Sequence, residues 1–223
     1  MRPVGVLVFP GSNCEHDVVR ALGELGAPAE LVWHAETDLS GYDGLVLPGG
    51  FAHGDYLRPG ALARFSPVMG AVAEAAAQGR PILGICNGFQ ILTEAGLLPG
   101  ALQQNTGLTF ISRPVALRVS SNQSVLTRTT PVGTRLVIPI NHFSGAYTCD
   151  DATYAQLVAG GQVVLTYEDN PNGSRGDIAG IANAAGNVVG LMPHPERAMS
   201  SLLGSADGRG LLSAFIESTV LAA

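Results

Sequence analysis

The sequence has 223 residues, 46% of them apolar and spread along the chain, with a formal net charge of −6. A chain of this size buries roughly 70% of the surface its extended form would expose, enough for one core without disulfides or a structural metal. Its twelve basic residues are all arginine and scattered singly, which excludes the basic stripe of a nucleic-acid binder, and the lack of lysine excludes a phosphate-loop lysine and a Schiff-base lysine.

Val4 to Phe9 is a short aliphatic run of the kind carried by a strand buried on both faces. With only Met1-Arg2-Pro3 ahead of it, no cleavage region after it and no longer apolar run elsewhere, a cytoplasmic chain without leader or membrane span is expected. Ser12-Asn13-Cys14-Glu15 fits a capping box ahead of a helical stripe of Val18, Leu22 and Leu25, closed by Gly26. Strands at Ala29 to Trp33 and Gly44 to Leu47 follow. Pro48-Gly49-Gly50-Phe51 leaves the second of these at the end where parallel α/β folds gather ligands, so the N–H of Gly50 is a candidate oxyanion donor, although glycine pairs also occur in ordinary turns. Ser66-Pro67 reads as the cap and first residue of a helix with Val68, Val72 and Ala75 on one face, stopped at Gly79.

The most informative segment is Pro81 to Leu92, where a strand at Ile82 to Cys86 runs straight into a helix at about Phe89 to Ala95. Glycines two residues before and two after Cys86 give this corner the form of a nucleophile elbow with cysteine in place of serine. A thiol there lies at a helix N-terminus, whose free N–H groups and dipole favour a thiolate, and the N–H of Asn87 points at an oxyanion formed on an attacked carbonyl. Without the glycines, Cys86 reads as one more small buried apolar residue.

The second half is richer in strands, at Val115 to Val119, Arg135 to Ile140, Val163 to Tyr167, Ile178 to Ala182 and Val188 to Met192, and ends in a helix at about Gly208 to Val220. The elements add up to an α/β fold with a mixed, mainly parallel sheet and helices on both faces. Just past the last strand, Pro193-His194-Pro195-Glu196 puts a carboxylate two positions after a histidine in extended chain, so both face one side and Glu196 can fix the tautomer of His194. Taken alone, the same tetrapeptide is an ordinary solvated turn. Of the other histidines, His16 and His34 read as surface or satisfied positions, while His53 and His142, in glycine-rich or turn-like contexts, are candidates to line a pocket. Cys14, Cys86 and Cys149 are odd in number and contain no Cys-x-x-Cys pair, which argues against a disulfide framework and a zinc site.

Gly84-Ile85-Cys86-Asn87-Gly88-Phe89-Gln90 and His194-Pro195-Glu196 resemble, in order, the Gly-x-Cys-x-Gly-x-Gln elbow and distant His-Pro-Glu of the class I, or triad-type, glutamine amidotransferases. Phe9 to Asn13, Gly49 to Arg58, Asn170 to Ser174 and Met192 to Ala198 are similar to the glutaminase subunits of phosphoribosylformylglycinamidine synthase, and the likeness covers nearly the whole chain. The resemblance implies a flavodoxin-like fold and a single amidotransferase domain over residues 1–223. It implies Cys86 as nucleophile, His194 as base, Glu196 as its orienter, Gly50 and Asn87 as the oxyanion hole and Gln90 as a hydrogen-bonding partner of the substrate. L-glutamine would be hydrolysed through a cysteinyl thioester, with no cofactor or metal in this chain. The ammonia would pass to a large (PurL-type) synthase subunit that uses ATP and Mg to convert formylglycinamide ribonucleotide to its amidine, with a small (PurS-type) bridging subunit in the complex. Two stretches depart from the pattern: Ala52-His53 stands where Ser-Tyr is usual, and His142-Phe143-Ser144-Gly145 where His-Gly-Glu-Gly is frequent.

Other readings share parts of this pattern. A glutaminase serving anthranilate, aminodeoxychorismate or GMP synthesis would keep the triad but lack the Asp55 to Arg58 and Asn170 to Ser174 stretches. A stand-alone cysteine hydrolase would need no partner, and a non-catalytic binding module would be indifferent to Cys86→Ala.

Overall fold

A computed structural model describes residues 2–222. The first half is β1 (Val4–Val8), α1 (Glu15–Glu24), β2 (Ala29–Trp33), β3 (Gly44–Leu47), α2 (Val68–Ala77), β4 (Ile82–Ile85) and α3 (Asn87–Glu94). Its strands pair in parallel in the order β2-β1-β3-β4. The chain steps one way from β1 to β2 and the other way from β3 to β4, and because such crossovers are right-handed, α1 and α2 cover opposite faces. β3 and β4 are buried at every residue, which is why their sequences are unbroken aliphatic runs and do not alternate.

The second half is β5 (Ala101–Gln103), β6 (Ile111–Val119), β7 (Arg135–His142), β8 (Ala146–Thr148), α4 (Asp151–Ala159), β9 (Val163–Tyr167), β10 (Ile178–Ala182), β11 (Val188–Leu191) and α5 (Gly208–Leu221). β11 lies parallel to β4 and completes a five-stranded parallel block, after which β10, β9, β6 and β7 continue the sheet antiparallel. The expected mixed, mainly parallel sheet is the one that forms. β5 and β8 make a separate two-stranded ribbon. Among the described residues no helix is long and apolar enough to cross a membrane.

Register decides where the chemistry sits. Gly190 of β11 pairs with Gly84 of β4 and Leu191 with Ile85, and the N–H of Cys86 donates to the carbonyl of Leu191 at 2.8 Å. The elbow and the His-Pro-Glu segment therefore leave neighbouring parallel strands at the same end, although more than a hundred residues separate them in sequence.

Several local expectations are corrected. The capping box does not form: Ser12 Oγ accepts from the N–H of Phe9 at 3.0 Å, and α1 starts after Cys14 with no side-chain cap. Ser66 likewise turns its hydroxyl to Nδ1 of His34 at 3.2 Å and does not cap α2. α3 starts at Asn87, two residues before the expected Phe89, because the helix begins directly at the elbow. β6 runs through Pro114, and the short β5 and β8 and the helix α4, capped by Asp150, have no counterpart among the expected elements.

Candidate active site

Cys86 is the one residue between β4 and α3, and it takes the whole turn itself, at φ 51° and ψ −104°. The left-handed region costs a non-glycine residue of order 1–3 kcal/mol and persists only where the surroundings over-determine it. The flanking glycines supply that constraint through space and not through their own torsions, neither of which is positive. A Cβ on Gly84 would stand 2.5 Å from Leu92 and 2.8 Å from the backbone of Gly88, and one on Gly88 would overlap the carbonyl of Leu47. The glycines singled out in the sequence are the right residues with a different task, since the sharp torsion belongs to the cysteine.

The imidazole and carboxylate meet as expected. Nδ1 of His194 lies 2.6 Å from Oε1 of Glu196, and both side chains are essentially inaccessible to water. A bond to Nδ1 leaves Nε2 facing the thiol side. Burial opposes the imidazolium, but the Glu196 carboxylate and the Cys86 sulfur beside the ring outweigh it and hold His194 well above the usual histidine range. Gly49 seals the cluster from behind: a Cβ there would lie 2.8 Å from Cε1 of His194 and 3.5 Å from Cβ of Cys86.

Cys14, which carries no site signal in the sequence, belongs to the same cluster. Its Sγ accepts from Nη2 of Arg197 at 3.1 Å, and Arg197 also reaches Asp17 at 3.2 Å. Ligand atoms of Cys14, His194 and Glu196 lie within 4.8 Å of one another, but the guanidinium already brings to this spot the positive charge a metal would bring.

Cys86 opens into a cavity of about 680 Å³, together with Gly50, Asp55, Gln90, His142 and Ser144. Gly50 reaches its wall at φ 148°, a conformation with no room for a side chain, since a Cβ would lie 2.8 Å from the backbone of Ser12 and Asn13. Asn87 contributes the first N–H of α3, which by helix geometry has no carbonyl a turn earlier to bond. Its side chain ties the loop to the helix, with Oδ1 accepting from the N–H of Ala52 at 3.0 Å and Nδ2 donating to Oε1 of Gln90 at 2.8 Å and Oδ1 of Asp55 at 3.3 Å. Gln90 in turn donates to the carbonyl of Ser144 at 2.5 Å, so its amide is braced by protein at both ends and keeps one N–H and one lone pair for a ligand. Burial pushes the Asp55 carboxyl up to about 6, against the bond from Asn87.

The opposite wall rests on asparagines. Oδ1 of Asn105 accepts from Nδ1 of His142 at 3.0 Å and from the N–H of Gly145 at 3.1 Å, while its Nδ2 donates to the carbonyl of His142. His142 is in the cavity wall, where burial, with the His194 charge nearby, lowers it to about 4 and keeps it neutral. Asn170 folds the following turn by accepting from three backbone N–H groups, and fully buried Asn172 donates to the carbonyl of Gly145 at 2.9 Å. The Asn170 to Ser174 stretch is thus a brace for the loop carrying Ser144, and not a wall of the cavity. His53 is also off the cavity, with its ring 5.6 Å from that of His34 across Ser66.

Comparison with known proteins adds the rest. Residues 2–209 match the model of the CobB/CobQ-like glutamine amidotransferase domain. The chain is 54% identical over 209 residues to phosphoribosylformylglycinamidine synthase subunit PurQ of Rubrobacter xylanophilus, a match spanning 94% of this chain and 95% of the relative. It superposes on a chain of the PurLQS structure from Thermotoga maritima with a TM-score of 0.89 and 43% identity, over 97% of this chain and 99% of that one. Another glutamine amidotransferase of Thermotoga maritima shares the fold at a TM-score of 0.64 and 19% identity, over 98% of each chain.

Proposed function

The chain belongs to the glutamine amidotransferase family, and from that premise we propose that it is the glutaminase subunit of phosphoribosylformylglycinamidine synthase. The observation that carries this reading is the elbow cysteine at the cavity floor with a buried His194–Glu196 pair beside it, in a chain 54% identical to a PurQ subunit over nearly its full length.

Cys86 attacks the side-chain amide carbon of glutamine as a thiolate, its proton held on His194. The resulting oxyanion is received by the N–H groups of Gly50 and Asn87, which are fixed before substrate arrives and need no reorganisation as charge develops. Collapse of the tetrahedral intermediate breaks the C–N bond while the His194 imidazolium gives its proton to the departing nitrogen, leaving a γ-glutamyl thioester and ammonia. Water, deprotonated by the same imidazole, then cleaves the thioester to glutamate and free thiol. Glu196 stabilises the imidazolium throughout and Gln90 orients the substrate. The whole chain serves as one amidotransferase domain.

The ammonia passes to a large, PurL-type synthase subunit, which spends ATP with Mg to convert formylglycinamide ribonucleotide to its amidine, with a small PurS-type subunit in the assembly. The similarity to a chain of PurLQS supports this partnership. Three cysteines with no disulfide, one of them the nucleophile, suit the reducing cytoplasm. The test is glutamine hydrolysis by the purified chain, with and without the synthase partner and its nucleotide substrate, in wild type and Cys86→Ala. Activity that rises with the partner and vanishes in Cys86→Ala is expected, and activity surviving in Cys86→Ala overturns the mechanism.

A further inference from the structure

The cavity that holds Cys86 has one acid in its wall, Asp55, and one guanidinium, Arg58. Arg58 brings its own counter-ion, since Nε and Nη2 lie 2.6 and 2.7 Å from the two carboxylate oxygens of Glu94. Asp55 has none: among the described residues its carboxylate makes no ion pair and accepts one long bond, 3.3 Å from Nδ2 of Asn87. A half-buried carboxylate left in this state is destabilising unless something cationic arrives.

The backbone holds it there at a cost. His53, Gly54, Asp55 and Leu57 all have positive φ, between 53° and 68°, and three of the four are not glycine. The loop is tied at several points, by the N–H of His53 to the carbonyl of Pro10, the N–H of Gly54 to that of Phe51, and the N–H of Ala52 to Oδ1 of Asn87. Strain kept up by this many ties, and ending in an unpaired charge facing a cavity, points to a ligand contact.

Position says which part of the ligand. Asn87 Nδ2 donates to Asp55 and to Gln90 Oε1 together, so these two acceptors flank one nitrogen. Gln90 is one helical turn, about 5–6 Å, beyond Cys86. A glutamine whose amide carbon rests on the Cys86 sulfur carries its α-nitrogen four bonds on, about 5 Å away when extended, a reach that matches the Gln90 end. We propose that Asp55 is the specificity residue that binds the α-ammonium of glutamine, its carboxylate taking the charge while the spare lone pair of Gln90 Oε1 accepts a second N–H. The assignment rests on the glutaminase reading above and adds to it the group that separates glutamine from other primary amides.

The experiment is steady-state hydrolysis by the full chain assembled with its synthase partner, comparing L-glutamine with glutaramate, the same amide without the α-amino group. Asp55→Asn is suited to it: asparagine tolerates the left-handed torsion, keeps an oxygen for Asn87 and removes only the charge. The expected result is a loss of roughly tenfold to a hundredfold in kcat/KM for glutamine, carried by KM, with glutaramate changed by less than about twofold, so that the preference for glutamine collapses. Retained glutaramate hydrolysis also shows that the variant is folded. Equal losses on both substrates would overturn the assignment in favour of a role in proton transfer or in holding Asn87, and so would an unchanged preference for glutamine. A wild-type complex that hydrolyses neither amide would sink the glutaminase reading itself, and the assignment with it.

Discussion

The two walls of the cavity are built by different physics. The Cys86 wall, from β3, β4 and α3, is steric: glycines let backbone approach backbone so closely that Cys86 has no alternative to its strained torsion. The facing wall, from β5 and the segment after it and from the turn after β7, rests on side-chain amides: loops of little regular structure are held by Asn105 and, from behind, by Asn170 and Asn172, whose amides stand in for the backbone bonds a strand or helix would supply. A residue held in a strained torsion, as Cys86 is, needs a position that cannot relax, whereas loops without regular structure need donors and acceptors in many directions. His194 and Glu196 leave β11 at the seam between the two.

The seam gives the largest expected effect. Glu196→Gln keeps the shape of the pair and removes the charge that holds the imidazolium, so kcat/KM for glutamine should fall about a thousandfold at unchanged substrate preference. Its effect on stability has a definite sign. The folded His194 value lies above its unfolded value of 6.5, so the stabilisation is fully present below that pH and is lost as pH rises through the folded value. Urea unfolding at pH 6 and pH 9 should therefore show the variant losing more stability, relative to wild type, at the lower pH. Next, Gly88→Ala should cost at least about 3 kcal/mol, because the added methyl overlaps the Leu47 carbonyl and nothing flexible can yield. A mild loss there would break the claim that this wall is steric. Behind the facing wall, Asn172→Ala should cost about 2 kcal/mol by removing the bond to the carbonyl of Gly145 and those from the N–H and hydroxyl of Ser174. Its activity loss should follow from displacement of Ser144 and appear in KM for glutamine.

The same division explains what can be read in the sequence. β2, β3, β9 and β10 fall at the expected residues, since each is a short apolar run between turn residues. Cys86, His194 and Glu196 are legible because each motif is local and the family likeness joins them. β6 extends further than expected because Pro114 reads as a breaker, whereas it sits opposite Pro139 at a rung where the Pro139 carbonyl accepts from the N–H of His194 and not from β6, so neither proline removes a bond between the two strands. β5 and β8, three residues each, carry too little pattern to show. Cys14 is invisible as a site residue because its partner Arg197 is 183 positions away. The asparagines are visible as composition, but their acceptors are loop carbonyls that only the folded chain brings within reach.

The smallest effect separates the two walls most sharply. Asp55 hangs from the steric wall but is held for a charge, and its carboxyl is pushed up to about 6 from an unfolded value near 3.8. A raised carboxyl destabilises the fold when ionised: the penalty is absent below the unfolded value and complete above the folded one. Asp55→Asn should therefore stabilise the chain by about 1 kcal/mol at pH 8, the effect being reduced by water on the open side of the cavity, and by nothing measurable at pH 4. Thermal unfolding of wild type and variant at those two pH values measures this directly, as a gain of about 2–4 °C at the higher pH alone. A variant less stable at pH 8 would make Asp55 a brace like Asn172. A gain accompanied by weaker glutamine binding would mark it as a charge kept at the expense of stability for a ligand that arrives from outside.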